Sequence, residues 1–211
     1  MINSASRRTD LTAWYAEWTI RLFRDGYCMV PNPRNRNQVS RVSLRPQDVD
    51  ALVFWTRNPR PLMPYLDEFD ARGHRYCFQF TILGYPREID PKAPSTSVSV
   101  STFRELSERL GTRRMVWRYD PIVFTGSTFP DFHRRNFEML AKSLRGFTKR
   151  SVISLVDRYR KIEKRMQDLE KSLPGPQSCE GDELATLMRD LAAIASANGM
   201  EIVSCAEPID L

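Results

Sequence analysis

Short β-rich apolar runs alternate with amphipathic helical stretches six times along this chain, and that alternation restricts the fold more than any other feature. Ile2 to Ser6 reads as a strand. Asp10 or Thr9 then caps a helix with Leu11, Trp14, Tyr15, Trp18 and Leu22 on its core face and Gly26 as its stop. Tyr27 to Val30 and Val39 to Leu44 read as short extended segments around a polar loop, Pro31 to Gln38. Ala51 to Trp55 is a buried strand before a helix from about Pro61 to Ala71. Tyr76 to Leu83 precedes a helix around Thr102 to Leu110, where Thr102 and Glu105 form a capping box. Met115 to Tyr119, a helix from about Asp131 to Leu144, and Ser151 to Val156 continue the series. A charged helix from about Tyr159 to Ser172 and a surface linker, Pro174 to Gly181, lead to a helix with Leu184, Leu187, Leu191 and Ile194 inward. That helix stops at Gly199 and feeds Glu201 to Cys205, the sixth parallel-type strand. The expected architecture is a partial (TIM-like) β/α barrel of about six parallel strands, with residues 1–211 as one domain.

A length of 211 residues is enough to bury a proper core without staples. No apolar run approaches the roughly 20 residues of a membrane span, and arginines interrupt the start of the chain where an export signal needs an apolar core. The expectation is a soluble cytoplasmic protein with no membrane partner. Cys28, Cys77, Cys179 and Cys205 show no CxxC or CxxxC pair and read as reduced structural thiols. The histidines, His74 and His133, lie in a loop and on a helix, so no metal site is expected. The net charge of +6 is carried mainly by arginine. Two readings stand: a phosphate-bearing or nucleic-acid partner, or a G- and C-rich genome that raises arginine content without one.

In parallel α/β folds the ligand sits at the carboxyl ends of the strands. Here those ends are polar: Ser4, Ser6, Arg7, Arg8, Thr9 and Asp10 after the first strand, and Thr56, Arg57 and Asn58 after Trp55 on the second. Gln79 and Thr81 alternate on the third, Trp117, Arg118, Tyr119 and Asp120 end the fourth, Ser154 and Asp157 the fifth, and Ser204 and Glu207 the sixth. All are expected to point towards one rim. The segments FWTRNP and VWRYDP share an apolar-Trp-x-x-(Asn/Asp)-Pro pattern. Proline ends a central strand and the preceding Asn or Asp bonds the turn, which explains the pattern structurally. It leaves Arg57 and Arg118 unexplained, because a charged side chain in a barrel mouth is costly without an acid or an anionic ligand. Residues 4 to 10 set hydroxyls and two arginines before a helix start, which suits an anion; the plain alternative makes Thr9 or Asp10 a helix cap. Trp55 and Trp117 are placed on the pocket wall.

The segments SASRRTD, PNP and QVSRVSL, DALVFWTRNP, YCFQFTILGYP, MVWRYDPI, SVISLVDRYRK and CAEPIDL together resemble the bacterial family called domain of unknown function 1848, over essentially the whole chain. The resemblance implies a cysteine-rich tail with a Cys-x-x-x-Cys-x-x-Cys-like run beyond the position of Leu211, similar to radical S-adenosylmethionine enzymes and DNA-repair lyases. The present sequence stops before such a tail, so the expectation is a truncated member or a form without the cluster. An iron–sulfur cluster and S-adenosylmethionine are therefore implied only for a full-length relative, and a radical-SAM-like architecture by analogy. The leading expectation is an enzyme domain binding a small anionic or nucleotide-like substrate. Arg7, Arg8, Arg57 and Arg118 would be its anion contacts, with Ser4, Ser6, Asp10, Trp55, Asn58 and Gln79 beside them. Asp120, Asp157 and Glu207 would be acid/base or orienting groups and Tyr119 a proton donor. One alternative is a nucleic-acid-binding or repair module using arginines such as Arg21, Arg24, Arg134 and Arg135. Another is a non-catalytic fragment that needs a tail or partner.

Overall fold

The computed structural model describes residues 1–5, 9–156, 160, 162–176 and 178–205. They form a mixed α/β protein with two compact units, residues 1–80 and 81–211. Six parallel strands account for the six expected runs, three paired within each unit.

In the first unit β1 (Ile2–Ala5) is followed by helices α1 (Leu11–Trp14) and α2 (Ala16–Asp25). An antiparallel hairpin of β2 (Tyr27–Pro31) and β3 (Val39–Ser43) comes next. After it come β4 (Ala51–Thr56), a 3-10 turn (Met63–Tyr65), α3 (Leu66–Ala71) and β5 (Tyr76–Thr81), whose last residue opens the second unit. β4 lies between β1 and β5, with Ser4 opposite Val53 and Trp55 opposite Gln79. Side chains alternate across a strand. Leu52, Phe54, Tyr76, Phe78 and Phe80 therefore share one face, buried, and Phe54 and Tyr76 pack on Phe69 of α3. Phe23 of α2 closes on Phe69 edge-on at 4.8 Å.

The expected single helix after Asp10 is two. Tyr15 leaves helical geometry (φ −133°) and shifts the phase of α2 relative to α1. Thr12, Ala16, Thr19, Ile20 and Phe23 turn inward, whereas Trp14 and Trp18, expected in the core, are 73% and 52% exposed.

The second unit carries α4 (Thr96–Leu110), β6 (Met115–Ile122), α5 (Pro130–Leu144), β7 (Arg150–Leu155), α6 (Glu163–Ser172), α7 (Gly181–Ala197) and β8 (Glu201–Ser204). β7 pairs with β6 and β8, both parallel. The helix expected to start at Thr102 starts at Thr96, because Ser95 supplies the cap by accepting from the Val98 N–H. Thr102 is instead buried mid-helix and donates to the Val98 carbonyl at 2.8 Å. Trp117 is fully buried rather than on a pocket wall. It stacks on Phe137 of α5 at 4.6 Å and donates from Nε1 to the Ile82 carbonyl. Gly84 (φ +63°) has no room for a side chain, since a Cβ there would lie 2.6 Å from Asn136 Oδ1.

These placements predict opposite outcomes for two aromatic truncations. Phe137→Ala should lower the unfolding free energy by about 3–5 kcal/mol. Trp14→Ala should change it by no more than about 0.5 kcal/mol in the same urea titration.

Candidate functional site

The period of two along β6 separates two chemistries. Trp117 and Tyr119, both fully buried, face the helix side with Phe137, and Arg118 and Asp120 point the other way. Arg118 sits opposite Val152 of β7, which sits opposite Val203 of β8; two residues further on, the same alternation brings Ser154 and Cys205 to this face. Arg118 is only 8% exposed. Its guanidinium is ion-paired with Asp120, and the other Asp120 oxygen accepts from the Ser154 hydroxyl at 2.5 Å. Burial pushes the guanidinium below its ordinary pKa, opposed by its interaction with the Cys205 side chain. The arrangement is a buried cation fixed by a carboxylate, with a hydroxyl and a thiol beside it, at the carboxyl ends of three parallel strands. A buried ion pair stabilises little or nothing compared with apolar residues of the same volume, so its presence asks for another reason.

Behind the strand, Tyr119 belongs to a different network. The Val123 carbonyl can only accept, so His133 donates to it from Nε2 (3.3 Å) and accepts the Tyr119 hydroxyl proton at Nδ1 (2.9 Å). Asn136 donates to both the Tyr119 oxygen (2.9 Å) and the Leu83 carbonyl (2.6 Å). Burial pushes His133 down to about 4 and raises the Tyr119 phenol. The hydroxyl expected to be a proton donor thus lies on the face opposite Arg118, inside the helix-covered core.

In the first unit Asp10 takes the structural role. One oxygen accepts from the Ala13 N–H (3.0 Å) and the Thr12 hydroxyl (2.9 Å), capping α1; the other accepts from the Thr56 hydroxyl (3.0 Å) and the Arg57 N–H (2.8 Å), tying the helix start to the end of β4. The Asn58 N–H donates to the Thr56 hydroxyl, and Asn58 Oδ1 accepts from the Arg60 N–H, a turn formed by the residue before Pro59. Trp55 and Gln79 are half-buried neighbours on the face opposite Phe54 and Phe78; Ser4 is exposed on that face of β1. Ser6, Arg7, Arg8, Asp157 and Glu207 lie outside the described residues.

Three contributors were not legible as site residues. Cys205 read as an inert thiol, although its even spacing from Val203 was the available signal. His133 and Asn136 had none, because their partner Tyr119 lies on another element. Among the described residues no group of three or more His, Cys, Asp or Glu side chains could hold a metal ion. Among them no helix is long and apolar enough to cross a membrane.

Fold and site together define an α/β protein of parallel strands, with an apolar helix-covered face and a polar face that carries a buried ion pair. The chain belongs to the family described as Domain of unknown function (DUF1848), whose sequence model matches residues 2–211. No curated protein and no solved structure matches it.

Two measurements check this geometry. With His133 held neutral, its folded pKa lies below the unfolded value of about 6.5. The unfolded state therefore binds the extra proton, and stability should fall as pH drops from about 6.5 to about 4, by up to about 1.4 kcal/mol per pH unit. In His133→Gln that part of the pH slope should vanish from the unfolding free energy. Separately, Asp120→Ala strands a buried guanidinium and should cost about 3–5 kcal/mol, whereas Arg118→Met/Asp120→Leu should recover most of it in denaturant titrations.

Proposed function

We propose that this chain is an enzyme domain that binds a small anionic or nucleotide-like molecule at the carboxyl ends of β6, β7 and β8. Arg118 is the anion contact, and the single observation carrying the reading is its ion pair with Asp120 on the face of the strand turned away from α5. Guanidinium presents five N–H donors in a planar fork, so one edge can be held by a carboxylate while others meet a phosphate or carboxylate ligand. Asp120 in this reading is an orienting group. It fixes the guanidinium before the ligand arrives, so that binding does not have to order a long side chain. Ser154 and Cys205 supply a hydroxyl and a thiol beside the anion position.

The accompanying architecture is the partial (TIM-like) barrel, supported by six parallel strands, of which β1, β4, β5, β6 and β7 are each followed by helix. A cluster of the radical S-adenosylmethionine type needs several thiolates together. Cys28, Cys77, Cys179 and Cys205 form no disulfide and no such group among the described residues. Three of the four helix-face arginines named for the nucleic-acid reading are paired, Arg24 with Glu68, Arg134 with Asp131 and Asp190, and Arg21 with Glu17, while Arg135 is exposed.

The test compares a nucleoside monophosphate with its nucleoside by titration calorimetry on the native protein and on Arg118→Met/Asp120→Leu, which removes the pair without stranding a charge. The expected result is preference for the phosphate in the native protein and loss of that preference in the double variant. Equal binding by both proteins would refute the site.

A further inference from the structure

We infer that the β2–β3 hairpin is a docking surface for single-stranded nucleic acid, independent of the strand-end site. The hairpin forms a two-stranded sheet of its own, and a ribbon of this size is at best marginally stable without other contacts. Register and alternation put Tyr27, Met29 and Pro31 on one face with Ser43, Arg41 and Val39. That face is uncovered: Met29 is 55% exposed, Val39 47% and Tyr27 38%.

Within the ribbon itself the charge is of one sign. Between Tyr27 and Arg45 the sequence carries Arg34, Arg36, Arg41 and Arg45 and no acidic residue. The helix-face arginines Arg24 and Arg134 are neutralised by carboxylates, but none of these four joins an ion pair among the described residues. Arg41 instead lies over the Tyr27 ring at 4.2 Å, which holds an aromatic face and a cation together. At the foot of the ribbon a 220 Å³ recess is lined by Gly26, Tyr27, Arg41, Ser43, Arg45 and Asp48, with Asp48 accepting from the Ser43 hydroxyl.

A polyanion with exposed flat apolar groups matches this combination. Arginines meet phosphates, and bases pack on Tyr27, Met29 and Val39. Duplex DNA hides its base faces in the stack, so it would leave the apolar residues unmatched. A membrane surface also combines negative charge with apolar depth, but a hairpin inserting there needs an apolar tip. This tip is Asn-Pro-Arg-Asn-Arg-Asn, with Asn32 bonded to Gln38 across it and the Arg34 N–H bonded back to Asn32.

The test is fluorescence anisotropy of labelled DNA and RNA single strands of about sixteen nucleotides with the full chain, across a salt series. Binding should weaken with salt at a log–log slope of about −0.7 per phosphate engaged. Arg34→Ala/Arg36→Ala/Arg45→Ala should make that slope shallower by about 2 and weaken binding at low salt by about tenfold or more. The charge-matched Arg113→Ala/Arg135→Ala/Arg189→Ala, with three exposed arginines from the second unit removed, should bind as the native protein does. Tyr27→Ala/Met29→Ala should lower affinity with the slope unchanged, and circular dichroism confirms that each variant is folded. The DNA and RNA arms say which strand is preferred. Equal loss in both triple variants, displacement by polyglutamate as readily as by unlabelled strand, or preferential binding to phosphatidylserine vesicles would each overturn the proposal. Arg118→Met/Asp120→Leu should leave strand binding intact, so failure of the hairpin site and of the strand-end site are told apart.

Discussion

A β-strand turns successive side chains to opposite faces, and in this protein that rule separates core from chemistry. On β6 it sends Trp117 and Tyr119 under α5 while it turns Arg118 and Asp120 away. A slip of one residue would set the ion pair among aromatic rings and turn the tryptophan towards Val152 and Ser154. The helix-side core therefore fixes the register, and the register fixes where the charges lie. The Tyr119–His133–Asn136 network strengthens the constraint, because each member satisfies another's buried hydrogen-bonding group.

The same carboxylate type performs two different tasks. Asp10 receives hydrogen bonds from two backbone N–H groups and two hydroxyls, and so consolidates the junction of α1 with β4. Asp120 receives one hydroxyl and a guanidinium. A carboxylate surrounded by backbone donors is part of the scaffold. One that holds a buried arginine fixes where that guanidinium lies. The difference lies in the partners each oxygen meets, not in the residue.

Arginine richness likewise divides by environment. On the helices some arginines meet acids, as Arg24 meets Glu68 and Arg134 meets Asp190, and others meet backbone carbonyls, as Arg104 meets Ser143 and Arg165 meets Ile89. In the hairpin no acid falls within the segment from Tyr27 to Arg45, and among the described residues its four arginines join no ion pair, beside exposed apolar side chains; Asp48, at the foot of the ribbon, is bonded to the Ser43 hydroxyl.

The six parallel strands, the hairpin around a polar loop and most of the helices were legible from hydrophobic periodicity, because burial on one face leaves a regular mark on the sequence. The need of Arg118 for an acid such as Asp120 was legible too, but Trp117 and Tyr119 were expected at the same rim, which the period of two forbids. The break at Tyr15, which exposed Trp14 and Trp18, was not legible, since a change of helix phase depends on what the two short helices pack against. Asp10 was legible as a cap, but its second tie, to Thr56 and Arg57 on β4, was not, nor was the assignment of Tyr119 to the interior or of Cys205 to the side of Arg118. Periodicity records whether a side chain is buried; only the tertiary structure decides which group from a distant segment it meets there, and that meeting sets its charge state and its role.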